Sequence, residues 1–190
     1  MRKVDVSVVV FAGVSILYPL LAALAVRSFG PGWVLLGLFV LLALRSLLGL
    51  TSKVPGGLTY GLLVVAAGLA LVALYDRHLS VRLYPAFMNV AMLIAFAQTL
   101  IRPPSMIERF ARLVEPNLPE RGVRYTRAVT WTWCIFFVLN ASIAAYTAAF
   151  ASWEVWTIYN GVVAYVAMGA VFAIELMVRP FFRNPVETPR

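Results

Sequence analysis

Six long apolar runs constrain the fold of this 190-residue chain more than any other feature. Each run is close to the roughly 20 residues that an α-helix needs to cross a bilayer. The runs are continuously apolar and do not alternate, which is typical of membrane helices. The sequence therefore predicts an all-α integral membrane protein, a single polytopic domain over residues 1–190 with six transmembrane helices. The predicted spans are 6–26, 32–50, 57–75, 83–101, 128–150 and 155–178.

Composition excludes a soluble domain. The chain is 62% hydrophobic and only 13% charged, against roughly a quarter charged residues in soluble proteins. The net charge of +8 does not indicate a nucleic-acid partner, because the basic residues flank the apolar runs and form no basic domain. Cys134 is the one cysteine and lies inside an apolar run. We expect it to pack as a small hydrophobic residue.

The N-terminal run has some features of a signal peptide. Arg2 and Lys3 give a basic start, and Ala23-Leu24-Ala25 fits a small-x-small cleavage site. The apolar run 6–26 is longer than the ~7–15 residues of a usual signal-peptide core. We therefore expect this segment to be retained as the first helix.

Lysine and arginine are distributed unequally between the predicted loops. With a cytoplasmic N-terminus, only Arg27, Arg77 and Arg82 of the 16 basic residues lie outside. The positive-inside rule therefore predicts that both termini are cytoplasmic. Trp and Tyr residues cluster near both predicted interfaces, as expected for aromatic belts. Phospholipid is therefore the expected immediate environment, and the family resemblance given below implies a bacterial inner (plasma) membrane.

The loop between the fourth and fifth spans is the most charged stretch. Pro103-Pro104 prevents continuation of the fourth helix, and Ser105-x-x-Glu108 fits a capping box that begins another. Over residues 105–115 the apolar side chains share one face, and Glu108, Arg109, Arg112 and Glu115 share the other. We predict a short amphipathic helix at the cytoplasmic interface. The basic residues of this lipid- or partner-facing loop are Arg102, Arg109, Arg112, Arg121, Arg124 and Arg127.

The second half of the chain also resembles a known family. The run "RPPSMIERFARLVEP…LP…VRYTRAVTWTWCIFF", followed by "NASIAAYTA…YNGVVAYVAMG", is similar to small bacterial inner-membrane proteins encoded with aryl-polyene or xanthomonadin-type pigment genes. The resemblance covers residues 84–175. It implies a role in making or moving a lipid-linked polyene, and it carries over no catalytic residue.

Polar side chains inside the spans are candidate functional residues because they are costly in lipid. Arg45 is expected to snorkel to the interface. Glu175 lies one turn from Arg179, so it forms either an ion pair or a carboxylate that handles protons or substrate. A tight turn near Ser152 predicts a hydrogen bond between Asn140 and Tyr165. Asn89, Asn140 and Asn160 fall in the same half of the membrane, either as packing contacts or as the lining of a polar pocket.

Motifs for known enzyme chemistry are missing from the sequence. One His and one Cys cannot supply an ordinary zinc site, and there is no phosphate loop or nucleophile elbow. Asp76-Arg77-His78 fits a short solvated turn. We predict no metal, no cofactor and no catalytic residue.

Three functions follow as hypotheses. The preferred one is an accessory or scaffold protein of lipid or polyene pigment biosynthesis. Its basic loop would dock acidic synthesis proteins such as an acyl carrier protein. The second is a transporter or flippase subunit for a lipid-linked product. The third is a membrane acyl or glycosyl transferase that uses Glu175. A pocket joining Glu175 to the asparagines favours the second or third, and a dry bundle favours the first.

Overall fold

A computed structural model describes Val40 and residues 56–183. Within this part every regular element is helical, as the sequence predicts. Apart from Val40, the predicted spans 6–26 and 32–50 lie outside the described residues, as does Arg45. The helices are α1 (Gly56–Tyr75), α2 (Arg77–Ile101), α3 (Met106–Arg112), α4 (Glu120–Phe150), α5 (Trp153–Ile158) and α6 (Ala164–Arg183), with a π-helical segment, Tyr159–Val163, between the last two.

Three helical stretches are long and apolar enough to cross a membrane: Arg77–Ile101, Glu120–Phe150 and Trp153–Pro180. At 1.5 Å per residue each exceeds the roughly 30 Å of a bilayer core. The helix at the predicted third span, Gly56–Tyr75, has 20 residues. Its described apolar part, Val64–Tyr75, is shorter than a span. Over the described residues the fold class is thus confirmed as all-helical, with three helices that are long and apolar enough to span a membrane. This count does not support the predicted six spans.

A one-residue turn at Asp76 connects α1 to α2. The Asp76 carboxylate accepts hydrogen bonds from the amides of His78 (2.8 Å) and Leu79 (3.1 Å), which makes it the N-cap of α2. The helix therefore begins at Arg77, six residues before the predicted span. Asp76, Arg77 and His78 are all exposed, in agreement with the predicted solvated turn.

The α1–α2 contact is close because of Gly61. A Cβ atom there would lie 2.9 Å from the Ala91 carbonyl oxygen and 3.0 Å from the Ala91 Cα. Ser80 donates to the Leu69 carbonyl oxygen at 2.8 Å across the same contact. Small residues and hydroxyl bonds of this kind hold membrane helices together.

The fifth span is longer than predicted. The helix α4 begins at Glu120, not at residue 128, with Pro119 as N-cap. Proline suits a helix start because its missing amide hydrogen would have no partner there, and Glu120 favours the positive end of the helix. Arg121, Arg124 and Arg127 are consequently residues of the first turns of α4, and the connecting loop is limited to residues 102–119.

The two ends of the bundle differ in charge. We call the end that contains α3 the loop end, and the opposite end, with Asp76 and Ser152, the hairpin end. The described arginines at the hairpin end are Arg77 and Arg82. Those at the loop end are Arg102, Arg109, Arg112, Arg121, Arg124, Arg127, Arg179 and Arg183. This segregation follows the predicted charge asymmetry.

Arg82 connects α2 to the end of α4 at the hairpin end. Its guanidinium donates to the carbonyl oxygens of Thr147 (2.7 Å) and Ala151, at the C-terminus of α4. It also lies 5.3 Å from the centre of the Trp153 ring. Fully buried Trp156 donates from Nε1 to the Arg82 carbonyl oxygen at 2.9 Å. These contacts join α2 to the turn between α4 and α5.

The short helix α3 begins as predicted. Ser105 is its N-cap, and Glu108 accepts a hydrogen bond from the Ser105 amide at 3.3 Å, as in a capping box. The helix ends at Arg112 rather than residue 115. Met106 is buried against the core, whereas Phe110 is 55%, Leu113 67% and Val114 84% exposed. An exposed apolar edge of this kind suits the predicted membrane interface.

One residue of α3 faces the other way from the prediction. Glu108 is buried, not on the polar face. Arg112 donates from Nε to its Oε1 at 2.9 Å and pairs with it at 2.8 Å. Burial is tolerated because the carboxylate forms this ion pair and also accepts a hydrogen bond from the Ser105 amide.

Candidate functional site

A cavity of about 570 Å³ lies between α2, α4 and the last helical stretch of the described chain, and we call it the central cavity. This stretch consists of α5, the π-helical segment and α6, and we call it the last helix. Its described wall includes every intramembrane polar residue that the sequence singled out between residues 89 and 179. These residues are Asn89, Asn140, Asn160, Tyr165, Glu175 and Arg179. Asn160 and Glu175 are 15 residues apart on the last helix, so the cavity extends about 22 Å along it.

The cavity exists because α6 packs only sparsely on α4. Helix α2 packs closely against both α1 and α4, whereas only 6% of the apolar part of Trp153–Pro180 is buried. The π-helical segment Tyr159–Val163 lies in this last stretch. Such segments interrupt the regular helical hydrogen-bond pattern and are frequent at functional sites.

Hydrogen-bonded asparagines close the hairpin end of the cavity. Asn140 donates from Nδ2 to Asn89 Oδ1 (3.0 Å), and Asn140 Oδ1 accepts from the Tyr159 hydroxyl (2.7 Å). Asn160 donates to the Trp156 carbonyl oxygen at 3.0 Å. We call these four residues, Asn89, Asn140, Tyr159 and Asn160, the amide cluster. The first three form one connected chain of hydrogen bonds.

The tyrosine that donates to Asn140 is Tyr159, whereas the sequence predicted Tyr165. The prediction assumed two straight helices in contact along their length. In the structure a π-helical segment precedes α6, and α6 packs only sparsely on α4, so Tyr159 contacts Asn140 and Tyr165 lines the central cavity. Sequence inspection gives little sign of this change, because the π-helical segment has no distinctive residue pattern.

Two amide groups of the amide cluster, those of Asn89 and Asn140, each donate one recorded hydrogen bond. Each asparagine Nδ2 carries two hydrogens. Asn140 directs one to Asn89, and Asn89 directs one to the Pro85 carbonyl oxygen at 2.8 Å. Within residues 56–183 no acceptor is recorded for the second hydrogen of either amide, so each could donate to an oxygen atom of a ligand in the cavity. The cluster is therefore suited to hold a hydroxyl, ester or amide group.

The middle of the central cavity is apolar. Its wall here is formed by methionine and aromatic side chains: Met88, Met92, Phe96, Phe137, Met168 and Phe172. Methionine adapts to irregular apolar ligands because its side chain is unbranched and flexible. Phe96 and Phe137 make an edge-to-face contact at 5.2 Å, and buried Cys134 packs in the same cluster, as predicted. This region fits a hydrocarbon chain.

Glu175 and Arg179 form the loop end of the cavity. Arg179 Nε lies 3.6 Å from Glu175 Oε1, which confirms the predicted pair. The sequence did not predict that the Tyr125 hydroxyl donates to the same carboxylate oxygen at 3.2 Å. Tyr125 also stacks on Phe182 at 4.8 Å. These contacts tie α6 to α4, and the interfacial position of Tyr125 was its only sequence signal.

The six basic residues predicted to face lipid or partners divide into two groups. Arg109 donates to the Pro104 carbonyl oxygen at 2.9 Å, and Arg112 is held by Glu108 and by the Pro116 carbonyl oxygen. Arg102, Arg121, Arg124 and Arg127 are exposed. The first pair stabilises the loop, whereas the other four are accessible to an anionic surface.

Within residues 56–183 no group of three or more His, Cys, Asp or Glu side chains lies close enough to hold a metal ion. Among the described residues of the central cavity, Glu175 is the one carboxylate and no His or Cys is present. Comparisons with protein-family models, with curated proteins and with solved structures find no match. The resemblance to the pigment-associated family therefore remains a prediction from the sequence.

Proposed function

We propose that this protein is a membrane transporter or flippase subunit that binds a lipid-linked amphiphile in the central cavity. One observation carries the proposal: a single cavity connects the amide cluster to Glu175 and Arg179 through an apolar middle. An elongated molecule with a hydrocarbon body and polar groups at its ends complements such a wall. A helical bundle without a cavity lined by polar residues would have favoured the scaffold hypothesis.

The proposed topology has six spans, with both termini and the loop end on the cytoplasmic side of an inner membrane. The segregation of arginines toward the loop end supports this orientation through the positive-inside rule. The resemblance of residues 84–175 to pigment-associated proteins supports a lipid-linked polyene as the ligand.

A second candidate function is the scaffold. Four exposed arginines at the loop end, Arg102, Arg121, Arg124 and Arg127, favour it. An acidic partner such as an acyl carrier protein would be attracted to this surface. The two functions are compatible, since a docked carrier would bring its acyl product close to the loop end of the central cavity.

Deletion of the gene, followed by complementation, tests the proposed function. We expect the deletion to change the profile of extractable lipids and pigments, and wild-type protein to restore it. Asn140→Leu should not restore it, because Leu removes the centre of the amide cluster. The loss of stability should be small, since hydrogen bonds between membrane helices average about 0.6 kcal/mol.

Ser142→Leu is the matched control for this experiment. Ser142 is on the same helix but is exposed, and its hydroxyl donates to the Val138 carbonyl oxygen at 2.9 Å. It should complement fully. Full complementation by Asn140→Leu at equal protein level would contradict a role of the amide cluster in ligand binding.

Glu175→Gln tests whether the function needs an ionisable carboxylate. Gln keeps an acceptor for the Tyr125 hydroxyl but removes the ionisable proton. The Glu175–Arg179 pair is partly exposed at Arg179, whose side chain is 42% accessible, so its loss should cost at most about 0.5 kcal/mol. We expect near-normal complementation. A stable Glu175→Gln protein that behaves like the deletion would show that the ionisable carboxylate is essential, either for proton handling in transport or for transferase chemistry.

A further inference from the structure

A second cavity of about 480 Å³ lies on another face of the contact between α4 and α6, and we call it the arginine groove. Each wall is one face of a helix, on which the lining side chains recur every three to four residues. On α4 the wall residues are Arg121, Arg124, Tyr125, Ala128, Val129, Thr132 and Trp133. On α6 they are Val171, Ile174, Glu175, Val178 and Phe182. The groove runs about 16 Å along each helix.

The charge of the groove is concentrated at the loop end. Arg121 is exposed, and its guanidinium lies 6.0 Å from the centre of the Phe182 ring. Arg124 is 3.8 Å from Glu120, but both side chains are largely exposed, at 74% and 96%. Such a pair is weak in water, so the positive charge of Arg124 remains available to a ligand.

We propose that the arginine groove binds an anionic phospholipid, with its phosphate between Arg121 and Arg124 and one acyl chain along the apolar walls. Guanidinium groups bind phosphate oxygens in a fork geometry. Ala128, Ile174 and Val178 provide the apolar surface beyond them. Among the described residues, eight arginines and four glutamates lie at the loop end, and their net positive charge favours anionic headgroups.

The test is native mass spectrometry of the purified, delipidated full chain with phosphatidylglycerol or phosphatidylcholine of identical acyl chains. We expect tighter binding of phosphatidylglycerol. Arg121→Gln with Arg124→Gln should weaken phosphatidylglycerol binding by roughly tenfold. Phosphatidylcholine carries the same phosphate, but its choline cation opposes the arginines, so its weaker binding should fall by a smaller factor. Restoring charge with Arg121→Lys and Arg124→Lys should recover part of the loss.

Arg102→Gln with Arg127→Gln is the matched control. Both residues are exposed at the loop end but do not line the groove, so phosphatidylglycerol binding should change by less than about twofold. Ala128→Trp should weaken binding of both lipids because it fills the path of the acyl chain. An equal loss in the control, or no loss in the groove variants, would overturn the proposal.

The groove adjoins the central cavity, because Val129, Trp133 and Glu175 line both. Its two arginines line the groove alone, and Met168 lines the central cavity alone. Met168→Trp should therefore leave phosphatidylglycerol binding intact, and variants at Arg121 or Met168 test the two sites separately. If Met168→Trp abolished phosphatidylglycerol binding, the lipid would be assigned to the central cavity and the proposal for the groove would be rejected.

Discussion

Met168→Trp is expected to weaken binding of an acyl amphiphile to the purified protein by at least about tenfold. Met168 contributes to the apolar middle of the central cavity. A rigid indole at this position occupies the space that a hydrocarbon chain needs, and overfilled sites accommodate extra atoms poorly. The measurement is a titration with an environment-sensitive fluorescent fatty acid in detergent micelles, with the dissociation constant as the result.

Met177→Trp is the matched control, because Met177 is on the same helix and is 72% exposed. It should bind the probe as the wild type does. Both variants should keep the wild-type melting temperature within a few degrees. If the two variants bound equally well, the central cavity would not be the binding site.

Arg82→Met is expected to produce the largest loss of stability. The substitution removes the donors for the carbonyl oxygens of Thr147 and Ala151 at the end of α4. Hydrogen bonds from a charged group contribute about 1.5–3 kcal/mol each, and Arg82 is only partly buried. We expect a total loss of about 2–4 kcal/mol. The apparent melting temperature in detergent should fall by roughly 5–15 °C.

Arg77→Met provides the comparison for this prediction. Arg77 is five residues earlier on the same helix and is exposed, so its replacement should leave the melting temperature nearly unchanged. Equal melting temperatures for the two variants would show that Arg82 does not stabilise the contact between α2 and the turn after α4.

Much of the fold could be predicted because bilayer thickness and proline chemistry are simple constraints. The apolar runs identified the helices, and Pro103-Pro104 with Ser105-x-x-Glu108 located the break and the start of α3. Helix starts were less accurate. Asp76 and Pro119 begin α2 and α4 several residues before the apolar runs, because a cap acts on the backbone and does not require apolar side chains.

The candidate site was predicted as a set of residues but not as a shape. Polar side chains are costly in lipid, and this cost identified Asn89, Asn140, Asn160 and Glu175 as candidates from the sequence. The structure places all four in the wall of the central cavity. The divergence of the last helix depends on tertiary packing and on the π-helical segment, which the residue pattern does not specify. For this reason the Tyr159–Asn140 bond and the Tyr125–Glu175 bond were missed.

The orientation of α3 was also only partly predictable. A helical wheel places Glu108 with Arg109 and Arg112. It does not show that the capping bond to Ser105 turns the Glu108 side chain inward or that α3 packs on α4. There the Ile107 amide donates a hydrogen bond to Thr130 Oγ1 at 3.3 Å, and the two residues are 23 positions apart in the chain.

Identifying the molecule that occupies the central cavity is the decisive test of the proposed function. Wild-type protein, purified in mild detergent from its own membrane, is extracted with organic solvent, and the extract is analysed by mass spectrometry. We expect about one equivalent of a specific amphiphile with wild type and with Met177→Trp, and its loss from Met168→Trp. Recovery of the same lipids in the same amounts from all three proteins would contradict the proposed function.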